Sequence, residues 1–506
     1  MNRLVDLSST HTKTPCADNR LEATFRDPAG QLRLTDGCAL RQIRPAAHEE
    51  TRAFLASPLR KALEQSGDLI ASKIASCDDH PCITAGELWL EHPLVDPISY
   101  PWEWTTAQWR AAAELTLRVA RQAIAAGWTL KDATPLNILF AGPRPVLVDV
   151  LSFERRDPRA MVWLAYGQFV RTFLLPLVAA KHLSWPLQAT LFARDGYEPG
   201  EIYKALPLRQ RINPSLFDVV TLATLFERRG AKAGAAKKMP SASDPELAAH
   251  ILEGRMARLG RQIRHAAGAP NHSQWSDYTQ RACHYQSVDI EQKRRFVRDA
   301  LERLRPMRVL DIGANTGDYS RMAAESGAEV VALDSDAAAL QALWEMAARE
   351  SLAVTALVAN IARPTPAAGW RNREHLSLLD RLAGKFDLVL MLAVIHHLIL
   401  REQVPLAHIG ELSASLTRRW LLVEWVPPSD PMYQEWLRGR DELYGDLSED
   451  DLKHALSPFF AVAERLELSN RRVLLLFERT AQQADATIEA GKSHSEAQPQ
   501  HEASAA

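Results

Sequence analysis

Val309-Leu-Asp-Ile-Gly-Ala-Asn-Thr-Gly317 decides the fold: a short apolar run, an acidic residue near its end, Gly-x-x-x-Gly, and a helical pattern opening near Asp318. Gly313 and Gly317 let the chain turn sharply and bring backbone N–H groups close to a ligand, where a side chain would obstruct. Asp311, at the strand end, can order the turn or, through it, the amino group of a cofactor. One helix and one strand later comes Asp334, 21 residues beyond Gly313. There a carboxylate can accept both hydroxyls of a ribose, so the spacing suits a nucleoside cofactor.

Outward from this turn, short β-branched runs alternate with helical patterns, the signature of βα units and a parallel sheet. The expected strands are Arg308–Ile312, Glu329–Leu333, Val354–Ala359, Phe386–Leu392 and Trp420–Trp425. The alternation then stops. Phe460–Leu468, a Ser-Asn turn and Arg472–Phe477 read as an antiparallel pair, giving a Rossmann-like α/β sheet of seven strands. Nicotinamide dinucleotide enzymes carry a similar turn, GxGxxG, whose second glycine lets pyrophosphate approach. Here Asn315 stands in that place, which favours a cofactor without pyrophosphate.

VLDIGANTG, VVALD, FDLVLMLAVIHHL, WLLVEWV and the closing strand pair together resemble the class I S-adenosylmethionine-dependent methyltransferases, in the expected order. The resemblance implies S-adenosyl-L-methionine as cofactor, bound through Asp311, Gly313, Asn315, Gly317 and Asp334. It also places Asn360 near the adenine amino group, where the family often has Asp; an amide oxygen can accept that hydrogen bond, and a plain turn cap is the alternative.

Methyl transfer from a sulfonium is an in-line displacement, so the protein must position the acceptor and, for a hydroxyl or amine, remove its proton. Groups for this belong at the strand C-termini. His396 and His397 follow the fourth strand and Glu424 ends the fifth, which makes them the catalytic candidates; packing or loop hydrogen bonding is the plainer reading of each. Nothing fixes a metal geometry among them, and no metal is assigned.

Before the sheet, Leu130-Lys-Asp-Ala-Thr-Pro-Leu-Asn-Ile-Leu-Phe140 and Pro145-Val-Leu-Val-Asp-Val-Leu-Ser-Phe-Glu154 stand out. Asp132, Asn137 and Asp149 resemble the catalytic loop and metal-binding Asp of kinase-like phosphotransferases. No Gly-rich phosphate loop or β-strand Lys precedes them, and Val-Leu-Ser-Phe follows Asp149, so a degenerate kinase-like domain that presents substrate is expected. A phosphotransferase using those three residues and a non-catalytic cofactor-binding scaffold are the alternatives. Regular elements expected here are a helix over 106–126, strands at 137–140 and 146–150, and helical segments from Val162 to Ala180.

ISYPWEW, LKDATPLNILF, LVDVLSFE, YGQFVRTFLLPL and the later blocks through EWVPPSDPM are similar to a family of large bacterial methyltransferases related to nodulation host-specificity proteins. That resemblance spans most of the chain and implies a small-molecule or glycan-related hydroxyl as acceptor. The 506 residues divide, on composition, into a flexible 1–30, a kinase-like α/β domain 31–229, a linker 230–246 (GAKAGAAKKMPSASDPE), a methyltransferase domain 247–480 and a disordered tail 481–506.

Sixty Lys plus Arg against 62 Asp plus Glu leave a net charge of -2, so no global field points to nucleic acid or anionic membrane. No apolar run approaches the ~20 residues of a membrane span, and the first residues lack a signal-peptide core. Cys16, Cys38, Cys77, Cys82 and Cys283 form no CxxC pair, which fits a reducing cytoplasm. Cys77 and Cys82 flank Asp78, Asp79 and His80; this grouping reads as a surface turn and receives no role.

Overall fold

The structure is a computed structural model that describes residues 27–230, 241–268 and 287–480, apart from Asp36, Pro81, Cys82, Ala85, Arg438 and Arg440. Most of the expected flexible N-terminus, residues 231–240 of the expected linker, the whole expected tail, and Cys16, Cys82 and Cys283 lie outside the described residues.

The N-terminal part opens with four antiparallel strands, β1 (Gly30–Leu34), β2 (Cys38–Ile43), β3 (Lys73–Ile74) and β4 (Leu88–Pro93), in the order β1-β2-β4-β3. Sequence reading finds none of them. They are short, and Arg33, Arg41, Gln42 and Glu91 break the apolar alternation. Two small antiparallel ladders follow: β5 (Trp128–Leu130) pairs with β8 (Phe153–Arg155), and β6 (Ile138–Ala141) forms a hairpin with β7 (Arg144–Leu147). The strand expected at 146–150 thus stops at Leu147, because Asp149 turns the chain by accepting a hydrogen bond from Leu151 N (3.2 Å).

At the centre lies the helix Thr106–Ala125, started by a capping box in which Thr105 and Gln108 satisfy each other's backbone N–H groups. It is buried on most sides: Trp109, Ala112, Ala113, Leu115 and Val119 are exposed by 1% or less. The helical run expected from Val162 is broken into Tyr166–Phe169, a π-helical Val170–Leu174 and Leu175–Leu183. Pro176 lacks the N–H that would reach Thr172, and the wider spacing sits just ahead of it.

The second sheet has β9 (Arg308–Ile312), β10 (Glu329–Asp334), β11 (Val354–Val358), β12 (Phe386–Met391), β13 (Thr417–Trp425), β14 (Phe460–Glu467) and β15 (Val473–Arg479), ordered β11-β10-β9-β12-β13-β15-β14. β9 to β13 run parallel and β15 is antiparallel to both neighbours. The chain reverses direction across the sheet between β9 and β12, the crevice where α/β sheets bind ligands.

The expected boundary at 246/247 does not follow the packing. The helix Pro245–Ala267 buries Leu252, Met256, Leu259 and Ile263 in the core that contains the Thr106–Ala125 helix, and Gln262 Nε2 donates to Ser215 O and Asp218 Oδ1 (3.0 and 2.9 Å). It belongs to the N-terminal part. The two parts meet along the edge of the sheet: Gln108 Nε2 donates to Ala356 O on β11 (3.0 Å), and Arg308 binds Asp96 (2.7 Å). A fully buried ion pair, Arg381 with Glu103, crosses the same junction, with Nη1 to Oε2 at 3.0 Å and the guanidinium 4.6 Å from the Tyr100 ring centre.

Candidate functional site

The turn after β9 is built as the glycines require. Gly313, Asn315 and Gly317 have φ of 77°, 49° and 89°, the left-handed region. A Cβ on Gly317 would lie 2.1 Å from Leu343 Cδ1, and one on Gly313 2.5 Å from Val394 Cγ2. The expectation that the turn's amides face a ligand is corrected: Gly313 N and Ala314 N donate to Leu333 O (2.8 and 3.0 Å), and Asn315 N donates to Asp334 Oδ2 (2.8 Å). These amides fasten the turn to the end of β10. What the glycines supply is the tight path itself.

Asp334 also accepts from Asp336 N (2.8 Å), and burial pushes its carboxyl above the ordinary range. Backbone N–H groups, that of Ser335 among them, take part of its acceptor capacity, and lone-pair capacity remains. Asp311 is 2% exposed, accepts from Ser320 Oγ (2.6 Å), and is raised to about 6, chiefly by burial. Asn315 Oδ1 is buried without a partner. An unmatched acceptor beside Asp334 is what a bound nucleoside would satisfy, so the residues present fit S-adenosylmethionine. Asn360 lies at the end of β11, its Oδ1 accepting from Ala362 N (2.8 Å) and its Nδ2 donating to Glu402 (3.1 Å). It caps a turn, and its Oδ1 keeps a second lone pair.

Beyond β12, Val394 touches the turn, while His396 stacks with Trp436 (ring centres 5.8 Å apart) and His397 meets it edge-on (4.1 Å). Burial, then the Arg472 and Lys293 cations, lower His396 to about 3; burial, then His396, lower His397 to about 2. Both rings are neutral at physiological pH. Such a weak base draws a proton poorly, so a hydrogen-bonding role fits these histidines better than proton abstraction. His396 Nδ1 is buried and unpartnered.

Glu424 is fully buried with Lys293 Nζ at 2.5 Å and Arg472 Nη1 at 3.4 Å, and Arg472 Nε reaches Asp430 at 2.8 Å. The expectation of an acceptor-contacting carboxylate is corrected: Glu424 is held between two cations and organises them. Lys293, Arg472 and Asp430 were missed because they come from a helix before β9, from β15's approach and from a loop, with no local motif to tie them together.

In the N-terminal part, Asp132, Asn137 and Asp149 do converge. Burial, then Asp149, raise Asp132. Asp149 accepts from Arg41 Nη1 (3.0 Å), Ser152 Oγ (2.6 Å), Leu151 N and Asn137 Nδ2 (3.4 Å). Its oxygens are taken by this chain's own donors. His80, given no role by its neighbours in sequence, lies with Cys38 and Glu91, their ligand atoms within 4.8 Å, but Lys73 and His80 already hold the two oxygens of Glu91 (2.8 and 2.7 Å).

A parallel sheet closed by an antiparallel strand pair, a strained glycine turn and a carboxylate on the next strand define a class I S-adenosylmethionine-dependent methyltransferase, with S-adenosylmethionine as its cofactor. Residues 310–418 match the family described as "Methyltransferase domain". The chain is 28% identical over 480 residues to "Nodulation protein NoeA" of Rhizobium meliloti (strain 1021), covering 91% of this chain and 96% of that protein. Two solved structures show partial likeness. Magnesium protoporphyrin IX methyltransferase from Synechocystis PCC 6803 is 23% identical, covering 38% of this chain and 84% of its own, TM-score 0.29. N-methyltransferase NodS from Bradyrhizobium japonicum WM9 is 14% identical, covering 38% and 98%, TM-score 0.28. Among the described residues no helix is long and apolar enough to cross a membrane.

Proposed function

We propose that the chain methylates a hydroxyl of a small molecule or glycan-related acceptor in the cytoplasm, beside His396 at the C-terminal ends of β9 and β12. The supporting observation is the unpartnered Nδ1 of His396, buried and neutral, two residues past the side chain that touches the glycine turn. When bound, S-adenosylmethionine supplies an electrophilic methyl on a sulfonium. The chain's part is to hold the acceptor in line and receive a hydrogen bond from its hydroxyl; as the O–C bond forms and the S–C bond breaks, the hydroxyl proton passes to solvent. The Lys293–Glu424–Arg472–Asp430 network keeps the floor of that region fixed, and its cations add to the burial that keeps His396 unprotonated.

The test is transfer of labelled methyl groups from S-adenosylmethionine into a cell extract, with the product separated into protein and small-molecule fractions. Label in the small-molecule fraction is expected; label confined to protein would overturn the acceptor class. His396→Ala should lower the rate by about 10²-fold with S-adenosylhomocysteine affinity unchanged. Asp334→Ala and Gly313→Arg should each weaken that affinity in calorimetry. Unaltered affinity in both would sink the cofactor assignment.

A further inference from the structure

On β4, Glu91 draws together side chains from three other segments. The antiparallel register sets Leu40 of β2 opposite Glu91 and Cys38 opposite Pro93, so Cys38 and Glu91 lie diagonally on one face of the sheet. The loop that joins β3 to β4 lays His80 against the same face, where its Nε2 donates to Glu91 Oε2 (2.7 Å). One ligand atom from each of Cys38, His80 and Glu91 lies within 4.8 Å of the other two. The sheet thus fixes two of the groups, and the Asp78-Asp79-His80 turn supplies the third.

A thiol, an imidazole and a carboxylate make a donor set suited to zinc, whereas magnesium and calcium take sets built of oxygen alone. Around a tetrahedral zinc ion the ligand atoms stand roughly 3.5 Å apart. The His80–Glu91 pair reaches that spacing by opening less than an ångström, and its hydrogen bond gives way to two metal bonds. The charges also match, one thiolate and one carboxylate against a doubly positive ion. On binding, the Cys38 thiol releases its proton to solvent and the imidazole coordinates in its neutral form.

The neighbours of these groups suit them as ligands. Lys73 Nζ holds Glu91 Oε1 (2.8 Å), the oxygen that His80 leaves alone, and so orients the carboxylate. Thr35 Oγ1 lies 3.3 Å from Cys38 Sγ, within reach to donate to a thiolate. Beneath them Cys38 packs with Leu40, Ala75, Ile83 and Trp89 in a small core apart from the two large ones. This corner of the protein buries little apolar surface, so a metal bond there stabilises what packing holds weakly. The side chains of His80 and Glu91 are each 17% exposed, which leaves an ion a way in and a place for water at the fourth position.

We propose that Cys38, His80 and Glu91 bind one zinc ion, which fastens the β3–β4 loop to the four-stranded sheet. The site is independent of methyl transfer and shares no residue with the methyl-donor turn.

The experiment is removal of metal from the full chain with a chelator, followed by titration with zinc against a chromophoric competitor and, separately, with cobalt. The wild type should take up about one zinc ion and, with cobalt, show the absorption of a thiolate-to-metal charge transfer. Cys38→Ser should abolish that absorption, and Cys38→Ser and His80→Ala should each weaken zinc binding at least tenfold, with circular dichroism and S-adenosylhomocysteine affinity at wild-type values. Cys77→Ser, two residues past a strand that the cluster does not use, should bind zinc as the wild type does. Failure of the wild type to bind zinc would overturn the proposal. So would zinc binding that survives both Cys38→Ser and His80→Ala, or that is lost in Cys77→Ser, since either result would move the metal to other ligands.

Discussion

Asp311 shows how the site sets its own pH behaviour. Its carboxyl is ordinary, near 3.8, in the unfolded chain and is raised to about 6 when buried. Below about pH 4 it is protonated in both states and costs nothing. As pH climbs through 6 the folded protein must ionise it in an apolar setting, and on the order of 3 kcal/mol of stability is lost. Asp311→Asn should therefore unfold at higher urea than wild type at pH 7.5, with the difference shrinking toward pH 4; parallel curves across that range would show the burial cost to be absent. His396 and His397 act in the opposite sense. Their folded values lie far below the 6.5 of a free imidazole, so the stability they contribute is present above about 6.5 and is lost as pH falls toward their folded values.

Among elements, β13 and the loop after it carry a buried charge network, Glu424 and Asp430 with Lys293 and Arg472. Removing one member of such a network weakens the others: Arg472→Met takes a cation from both Asp430 and Glu424. A loss of about 3–5 kcal/mol in denaturant unfolding is expected, and Arg472→Met combined with Asp430→Asn should recover part of it. Strictly additive losses in the double variant would mean the pair is not coupled. The strands of this sheet were legible because each is an apolar run flanked by turn residues, and the glycine turn was legible because its chemistry is local. Lys293 and Arg472 were not, since a buried ion network joins residues far apart in sequence and has no period. The same holds for β1 to β4, whose polar residues serve ion pairs instead of one uniform face. Helix Pro245–Ala267 was assigned to the wrong neighbour because an amphipathic pattern tells that a face is buried but not against what.

At the scale of the whole molecule, Arg381 and Glu103 tie the two parts through a pair with no access to water. Glu103→Ala leaves the guanidinium buried and uncompensated, which costs about 3–5 kcal/mol at the junction. Scanning calorimetry should then resolve two heat-absorption peaks where the wild type gives one; a single peak shifted down would mean the parts unfold as a unit regardless of this pair. The two edges of the seven-stranded sheet are guarded differently. β14 presents Glu464, Arg465 and Glu467 and a register slip after Val462, the usual defences of a free edge. β11, Val-Thr-Ala-Leu-Val, is buried along its whole length, and its protection is the N-terminal part, through Gln108 on Ala356. During synthesis the residues that will cover β11 emerge from the ribosome some two hundred and fifty positions ahead of it. The newborn strand thus meets a finished partner, and a chain begun after that partner would expose a sticky edge to its neighbours.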